Sequence, residues 1–364
     1  MAETVAVPAE SLRSLVFRIL TSDRYGVPEK HAETIANAML AADLTGHDTH
    51  GCQRLPSYLK RVRAGVMDPS ATPVVTFPAP AVAAVDGRNT FGHVAVAAAI
   101  DAAADVAEKF GIGMAGVNHS NHFGAASWVV ERAVKRGLAA IVFTNSSPAL
   151  PPFGGKDKLL GVSPLAAGMP SFSSGAPSSS EHLKPFILDM APSVAARGKV
   201  IKALRRGETI PEGWALDAKG QSTTDPAAAL DGTMLPMGGP KGSALAIFMD
   251  VFSGVMTGAA FAGAVTSPYD ASRPAGAGVG HFVAVMKPDL FVSREDLDLR
   301  LRELWTRVTT SAPAANTDRI WFPGEREQLE RQERVATGIC CTQNELEALN
   351  SEAAVAGVEK ISVK

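Results

Sequence analysis

Apolar residues recur at three- and four-residue spacing over residues 11–20 and 31–44, which predicts two amphipathic helices at the start of the chain. The run Gly46-His47-Asp48-Thr49-His50-Gly51 breaks that period, and a helical pattern resumes over residues 53–62. Pro69, Pro73, Pro78 and Pro80 then mark a boundary whose short apolar runs suit strands. Further on, the pattern predicts an Ala-rich helix over 94–109, a strand over 113–117, a helix over 125–135 and a buried strand over 138–144. Residues 145–184 are punctuated by proline and glycine, with a Ser-rich loop at 171–180. A strand at 185–190, a basic-ended helix at 195–205 and turns over 206–240 follow. After these come an apolar helix from Ser243, a strand at 281–286, a charged amphipathic helix at 294–309 and a helical polar tail from Gly324. Helices, then a mixed sheet region, then helices again is not a βαβα alternation, which argues against a doubly wound nucleotide fold.

The apolar stretch 244–265 is long enough to cross a bilayer. Asp250 lies near its middle and no basic flank orients it, so it reads as a buried core helix. Composition narrows the picture further. With 364 residues the chain can form more than one domain, and a net charge of −2 gives no basic surface for nucleic acid. Aromatic residues are only 6%, so the core must rest on Ala, Val, Leu and Ile. The N-terminus lacks the basic and apolar regions of a signal peptide. Cys52, Cys340 and Cys341 give no disulfide framework, which suits a reducing, cytoplasmic compartment.

Several motifs carry chemistry. Gly111-Ile112-Gly113-Met114-Ala115-Gly116 spells G-x-G-x-x-G, but it follows a helix and runs into a strand, the reverse of a dinucleotide fingerprint. Its glycines are expected to end that helix. His47/His50 and His119/His122 form two H-x-x-H pairs, each half of a conceivable zinc site. Both lie in Gly/Asn/Ser-rich loops and H-E-x-x-H is absent, so no metal is expected, and a zinc hydrolase stands as a lesser alternative. His50, Arg54 and Tyr58 share a face if the segment is helical. A guanidinium beside an imidazole suits a carboxylate substrate, with the arginine gripping and the histidine exchanging a proton. Gly238-Gly239-Pro240-Lys241-Gly242-Ser243 opens a helix as an anion site would. Ser193, after Asp189-Met190-Ala191-Pro192, has the chemistry of an N-cap.

Eight blocks in order resemble one family: ADLTGHDTHGCQRLPSY (42–58), NHSNHFGAA (118–126), IVFTNSSPALPPFGGKDKLLGVSPLA (141–166), ILDMAPSVAARGK (187–199), IPEGWALDAKGQSTTDPAAALDG (210–232), LPMGGPKGSALA (235–246), GHF (280–282) and PGERE (323–327). The chain is similar to the NAD(P)-dependent malate/L-lactate dehydrogenase family, whose members include sulfolactate, ureidoglycolate and diketogulonate oxidoreductases and ketimine reductases. The resemblance implies an α+β fold with a mixed, largely antiparallel, non-Rossmann sheet. It implies a cofactor domain of residues 76–194 and 232–289, a helical domain of 1–75 and 290–364, and a small helical insert at 195–231. It implies a homodimer with its site near the partner subunit.

The resemblance also distributes roles. His122 matches the histidine that exchanges a proton with the substrate oxygen, His50 a second histidine, and Arg54 the carboxylate-binding arginine. Ser146, Asp189, Met190, Ala191, Pro192, Ser193, Lys241, Gly242, Gly324, Glu325 and Arg326 match segments that contact NAD or NADP. Thr49 stands where serine is usual and Pro192 where threonine is common, which bears on substrate and cofactor preference. The expected reaction is hydride transfer between NAD(P) and C2 of a small 2-hydroxy or 2-keto acid, with ketimine reduction as the alternative on the same fold. The partners expected are a small carboxylate and a second copy of the chain, with neither nucleic acid nor membrane.

Overall fold

The structure, a computed structural model, describes residues 4–171, 184–272 and 276–362. All of the expected Ser-rich loop except Ser171 lies outside the described residues. At the centre is a seven-stranded sheet, whose strands in chain order are β1 (Val74–Ala79), β2 (Val82–Asp86), β3 (Ile112–Ser120), β4 (Ala139–Thr144), β5 (Leu165–Met169), β6 (Phe186–Met190) and β7 (Val279–Met286). They lie side by side as β1-β2-β3-β7-β4-β5-β6. Every pairing is antiparallel except β2 with β3, so the sheet is mixed and mostly antiparallel. This order is not doubly wound.

One face of the sheet is covered by two helices, Gly92–Phe110 and Ala126–Lys135. The first is Ala-rich, and small side chains let its backbone approach the strands closely. A Cβ on Gly113 would lie 2.1 Å from the carbonyl oxygen of Ala103 in that helix. Gly111, at φ 88°, caps the same helix in the left-handed conformation. The G-x-G-x-x-G run therefore ends a helix and makes room for it against a strand, the reverse of a dinucleotide fingerprint.

A second apolar cluster joins the helices Ala9–Thr21, Glu29–Leu44, Leu55–Arg63 and Gln343–Ala356, with Thr4–Val7 paired antiparallel to Ile339–Thr342. Arg63 and Tyr25 both bond Glu352, tying the two ends of the chain together. A third, small cluster gathers Leu150, Leu160, Val200, Ile210, Ala215 and Met234, where the expected basic helix forms at Arg197–Arg206 and a short helix at Pro226–Asp231 replaces some of the turns expected over 206–240.

Two sequence expectations are corrected. Residues 244–265 are not one buried helix. The helix Pro240–Asp250 passes into a single wider turn, Val251–Val255, and then into irregular chain. Only one side packs on the sheet, through Met249 and Phe252 against Phe143 and Phe282. The other side leaves Ile247, Phe248, Val251, Val255 and Met256 exposed. An apolar sequence all round a helix signals burial of both faces, and here the described chain buries one. Ser193 is not an N-cap either: the next helix starts at Arg197 behind Ala196, and Ser193 instead bridges to Pro236.

Candidate active site

The site forms where the helical cluster meets the end of β3. After helix Glu29–Leu44 the chain makes two short 3-10 turns, Asp48–His50 and Cys52–Arg54, before helix Leu55–Arg63 begins. Asp43 holds this bend by accepting the backbone N–H of Cys52 at 2.8 Å. A Cβ on Gly51 would fall 1.6 Å from the Asp43 carboxylate, so that position admits only glycine. Arg334, from the C-terminal part of the chain, bonds the carbonyl of Asp43 and pairs with Asp48. On the facing side Asn121 donates to the carbonyls of Thr90 and Asn89 and fixes the chain just before His122.

These anchors bring His50, Arg54, Tyr58 and His122 together. The rings of His50 and His122 lie 5.2 Å apart. The Tyr58 hydroxyl is 2.6 Å from His122 Nδ1, which also accepts the Gly124 N–H at 3.3 Å. A backbone N–H can only donate, so Nδ1 is an acceptor and the neutral ring carries its hydrogen on Nε2. The Thr49 hydroxyl lies 3.0 Å from His50 Nδ1, so the threonine keeps the bond a serine would make. The Arg54 guanidinium lies 5.9 Å from the centre of the Tyr58 ring. Burial, reinforced by the charge of Arg54, holds His122 well below its ordinary pKa and takes His50 down to about 3. Both rings are neutral at pH 7.

Two further histidines serve the architecture. His281, on β7, is wholly buried between the hydroxyls of Ser120 and Thr144, 2.7 Å from each. It packs edge-on against Phe123, the neighbour of His122. His93 is also wholly buried, 5.5 Å from the Tyr58 ring, and props the tyrosine against His122. His93 does not stand out in the sequence, and the GHF block marks His281 without giving it a role. The H-x-x-H pairs do not converge. His119 points outward to Asp86 at 3.0 Å with 65% of its side chain exposed, whereas His122 faces inward. His47 turns to the Thr45 hydroxyl, and among the described residues no three His, Cys, Asp or Glu side chains are grouped to hold a metal.

The segments expected to contact a cofactor fall into neighbouring groups. Asp189, Gly324 and Arg326 line one cleft of about 230 Å³, with His47, Ser127 and Trp321. Burial raises the pKa of Asp189, whose carboxylate accepts the Ser127 N–H at 2.7 Å. Glu325 sits beneath the cleft, its carboxylate committed to the Trp305 indole and the Phe322 N–H. From Met190 at the end of β6, Ala191, Pro192 and Ser193 lead to the turn before helix Pro240–Asp250, where Met237 N–H donates to the Pro192 carbonyl. Gly242 packs there so closely that a Cβ would lie 2.4 Å from the carbonyl of Met237. Lys241 is exposed on the first turn of the same helix. Ser146, just beyond β4, lies against Gly161 on another side. The hydroxyls of Ser146 and Ser193 are buried and have no protein partner among the described residues. Two unsatisfied hydroxyls beside glycine-lined walls fit a polar cofactor running past them.

Comparison with known proteins finds relatives along nearly the whole chain. The family model described as malate/L-lactate dehydrogenase matches residues 7–350. L-sulfolactate dehydrogenase of Methanothermobacter thermautotrophicus is 34% identical over 342 residues, covering 94% of each chain. The (2R)-3-sulfolactate dehydrogenase (NADP(+)) of Chromohalobacter salexigens is 36% identical over 290 residues, 80% of each. The solved structure of sulfolactate dehydrogenase from Methanocaldococcus jannaschii superposes with a TM-score of 0.88 at 32% identity, over 98% of both chains.

Proposed function

The chain belongs to the malate/L-lactate dehydrogenase family, and from that premise we propose that Arg54 grips the substrate carboxylate while His122, flanked by His50, exchanges a proton with the oxygen on C2. The protein is an NAD(P)-dependent oxidoreductase of small 2-hydroxy and 2-keto acids. The observation that carries the proposed roles is the convergence of one guanidinium and two neutral imidazoles at the end of β3. When bound, the nicotinamide supplies or accepts the hydride. The chain supplies alignment and the proton. In reduction, Nε2–H of His122 passes its proton to the developing alkoxide as Nδ1 takes the proton of the Tyr58 hydroxyl, so the ring stays neutral; oxidation runs the same two transfers in reverse. Tyr58, bonded at Nδ1, decides which form is ready. Ser146, residues 189–193, Lys241, Gly242 and residues 324–326 are proposed to hold the cofactor, supported by the unsatisfied hydroxyls of Ser146 and Ser193 and the cleft at Asp189. The division into cofactor domain, helical domain and insert is proposed with the limits given above, supported by the three separate apolar clusters.

Sulfolactate- or malate-like acids are the substrates proposed. A panel of 2-keto acids and a cyclic ketimine, each assayed with NADH and NADPH, tests this. The expected result is turnover of an anionic 2-keto acid. Preference for the ketimine would replace this reading with the reductase one. The free-enzyme pH profile tests His122 separately. A base held well below its usual pKa stays deprotonated in mild acid, so kcat/KM for oxidation should stay level through the range where an ordinary histidine titrates. An acid limb near the ordinary histidine value would show that burial does not set its proton affinity.

A homodimer working in a reducing, cytoplasmic setting is proposed as well. Buried Cys52 and Cys341 are free thiols, and among the described residues no helix is long and apolar enough to cross a membrane. The exposed apolar side of helix Pro240–Asp250 continues through Val251, Val255 and Met256 to a groove of about 740 Å³ lined by β1, β2, Met256 and Phe282, a face suited to a second copy. Ile247→Glu should leave a monomer at concentrations where the unaltered chain sediments as a dimer. A dimer unchanged by this substitution would place the interface elsewhere.

A further inference from the structure

Arg54 has a second aromatic neighbour, 215 positions away in sequence. The ring centre of Tyr269 lies 4.5 Å from its guanidinium, and Arg54 Nη1 donates to the Tyr269 hydroxyl oxygen. Tyr269 stands in the turn Ser267–Asp270, whose ends are joined by the Asp270 N–H to the Ser267 carbonyl at 3.0 Å. Arginine has donors only, so in this bond the tyrosine oxygen must accept. Its hydroxyl hydrogen is left to donate. Two donors, one charged, thus converge on one edge of the site. Nothing negative lies within ion-pair distance of Arg54 among the described residues. Arg61 lies seven residues further along the same helical face, wholly buried, and its three nitrogens have no protein partner among the described residues. Burial lowers its pKa, against the smaller raising effects of Tyr58 and Asp270. The Arg54 guanidinium beside two neutral imidazoles makes a local positive charge, which an anion would balance.

We propose that Tyr269 is the second arm of the carboxylate grip, holding the Arg54 guanidinium against its ring and donating its own O–H to the substrate carboxylate. The inference rests on Arg54 as the clamp. Tyr269 is 65% exposed, so its substitution leaves the fold intact. The ring of Tyr269→Phe still stacks on the guanidinium, but the donor is gone.

KM for the 2-keto acid should rise about tenfold in this variant, with kcat within about twofold of the original, because a hydrogen bond to a charged group is lost equally from substrate and transition state. The inhibition constant of oxalate, a non-reacting small carboxylate, should rise by the same factor. In an Arg54→Lys background, Tyr269→Phe should change KM less than about twofold, since the two arms act on one group. An unchanged KM with an unchanged oxalate constant overturns the proposal. So does a lower KM, which would mean that the hydroxyl competes with the substrate for Arg54. If Arg54→Lys alone leaves KM and the oxalate constant untouched, the clamp itself is misassigned; if it raises them while Tyr269→Phe does not, only the role of Tyr269 fails.

Discussion

His122→Ala should lower kcat by at least about 100-fold, the lower end of what a positioned general acid or base contributes. The deficit should appear in both directions, followed by nicotinamide absorbance, because one nitrogen serves as donor in reduction and acceptor in oxidation. KM should move far less, since Arg54 is on another element and keeps its place. The fold should survive, because the segment is held by Asn121 and by Phe123 against His281, not by the imidazole itself. Turnover near that of the unaltered protein would remove His122 from the chemistry and leave His50, 5.2 Å away, as the candidate.

The second large effect is expected at Arg54. Arg54→Lys should lower kcat/KM by about 100-fold, although the charge is retained. Lysine has no planar fork, so a two-point hold on a carboxylate becomes a single contact, and charge-assisted hydrogen bonds are each worth about 1.5–3 kcal/mol. The guanidinium is also flanked by the rings of Tyr58 and Tyr269, an arrangement that suits a flat cation. Steady-state kinetics of the lysine variant decides this, and added guanidinium should partly restore an Arg54→Ala variant. An unaltered kcat/KM for the lysine form would show that the acid is held elsewhere.

Much of this site is legible in the order of residues alone. His50, Arg54 and Tyr58 follow helical spacing, and that local geometry holds although the segment begins as 3-10 turns. His122 is marked by its NHFG block. What spacing does not give is the partner of each side chain. Tyr58 meets His122 across 64 residues and Arg54 meets Tyr269 across 215, distances at which spacing carries no information. The H-x-x-H pairs show the opposite failure: a regular spacing outside a helix put His119 and His122 on different sides of the chain. The stretch 244–265 shows a third, because hydropathy reports that a face is apolar without saying what covers it.

The sequence by itself determined many of the helices and strands, such as those expected over 94–109 and 281–286, because apolar periodicity and the positions of glycine and proline are local properties; it did not mark the strands Val82–Asp86 and Leu165–Met169 or the helix Pro226–Asp231. It also determined that the G-x-G-x-x-G run closes a helix, since the order helix, glycines, strand can be read along the chain. Only the tertiary structure decided the strand order β1-β2-β3-β7-β4-β5-β6, in which β7 inserts between β3 and β4 from far along the chain. It alone decided that His122 is half-buried beside Arg54 and held well below its ordinary pKa, since proton affinity depends on burial and neighbouring charge, and neither is written in the order of residues.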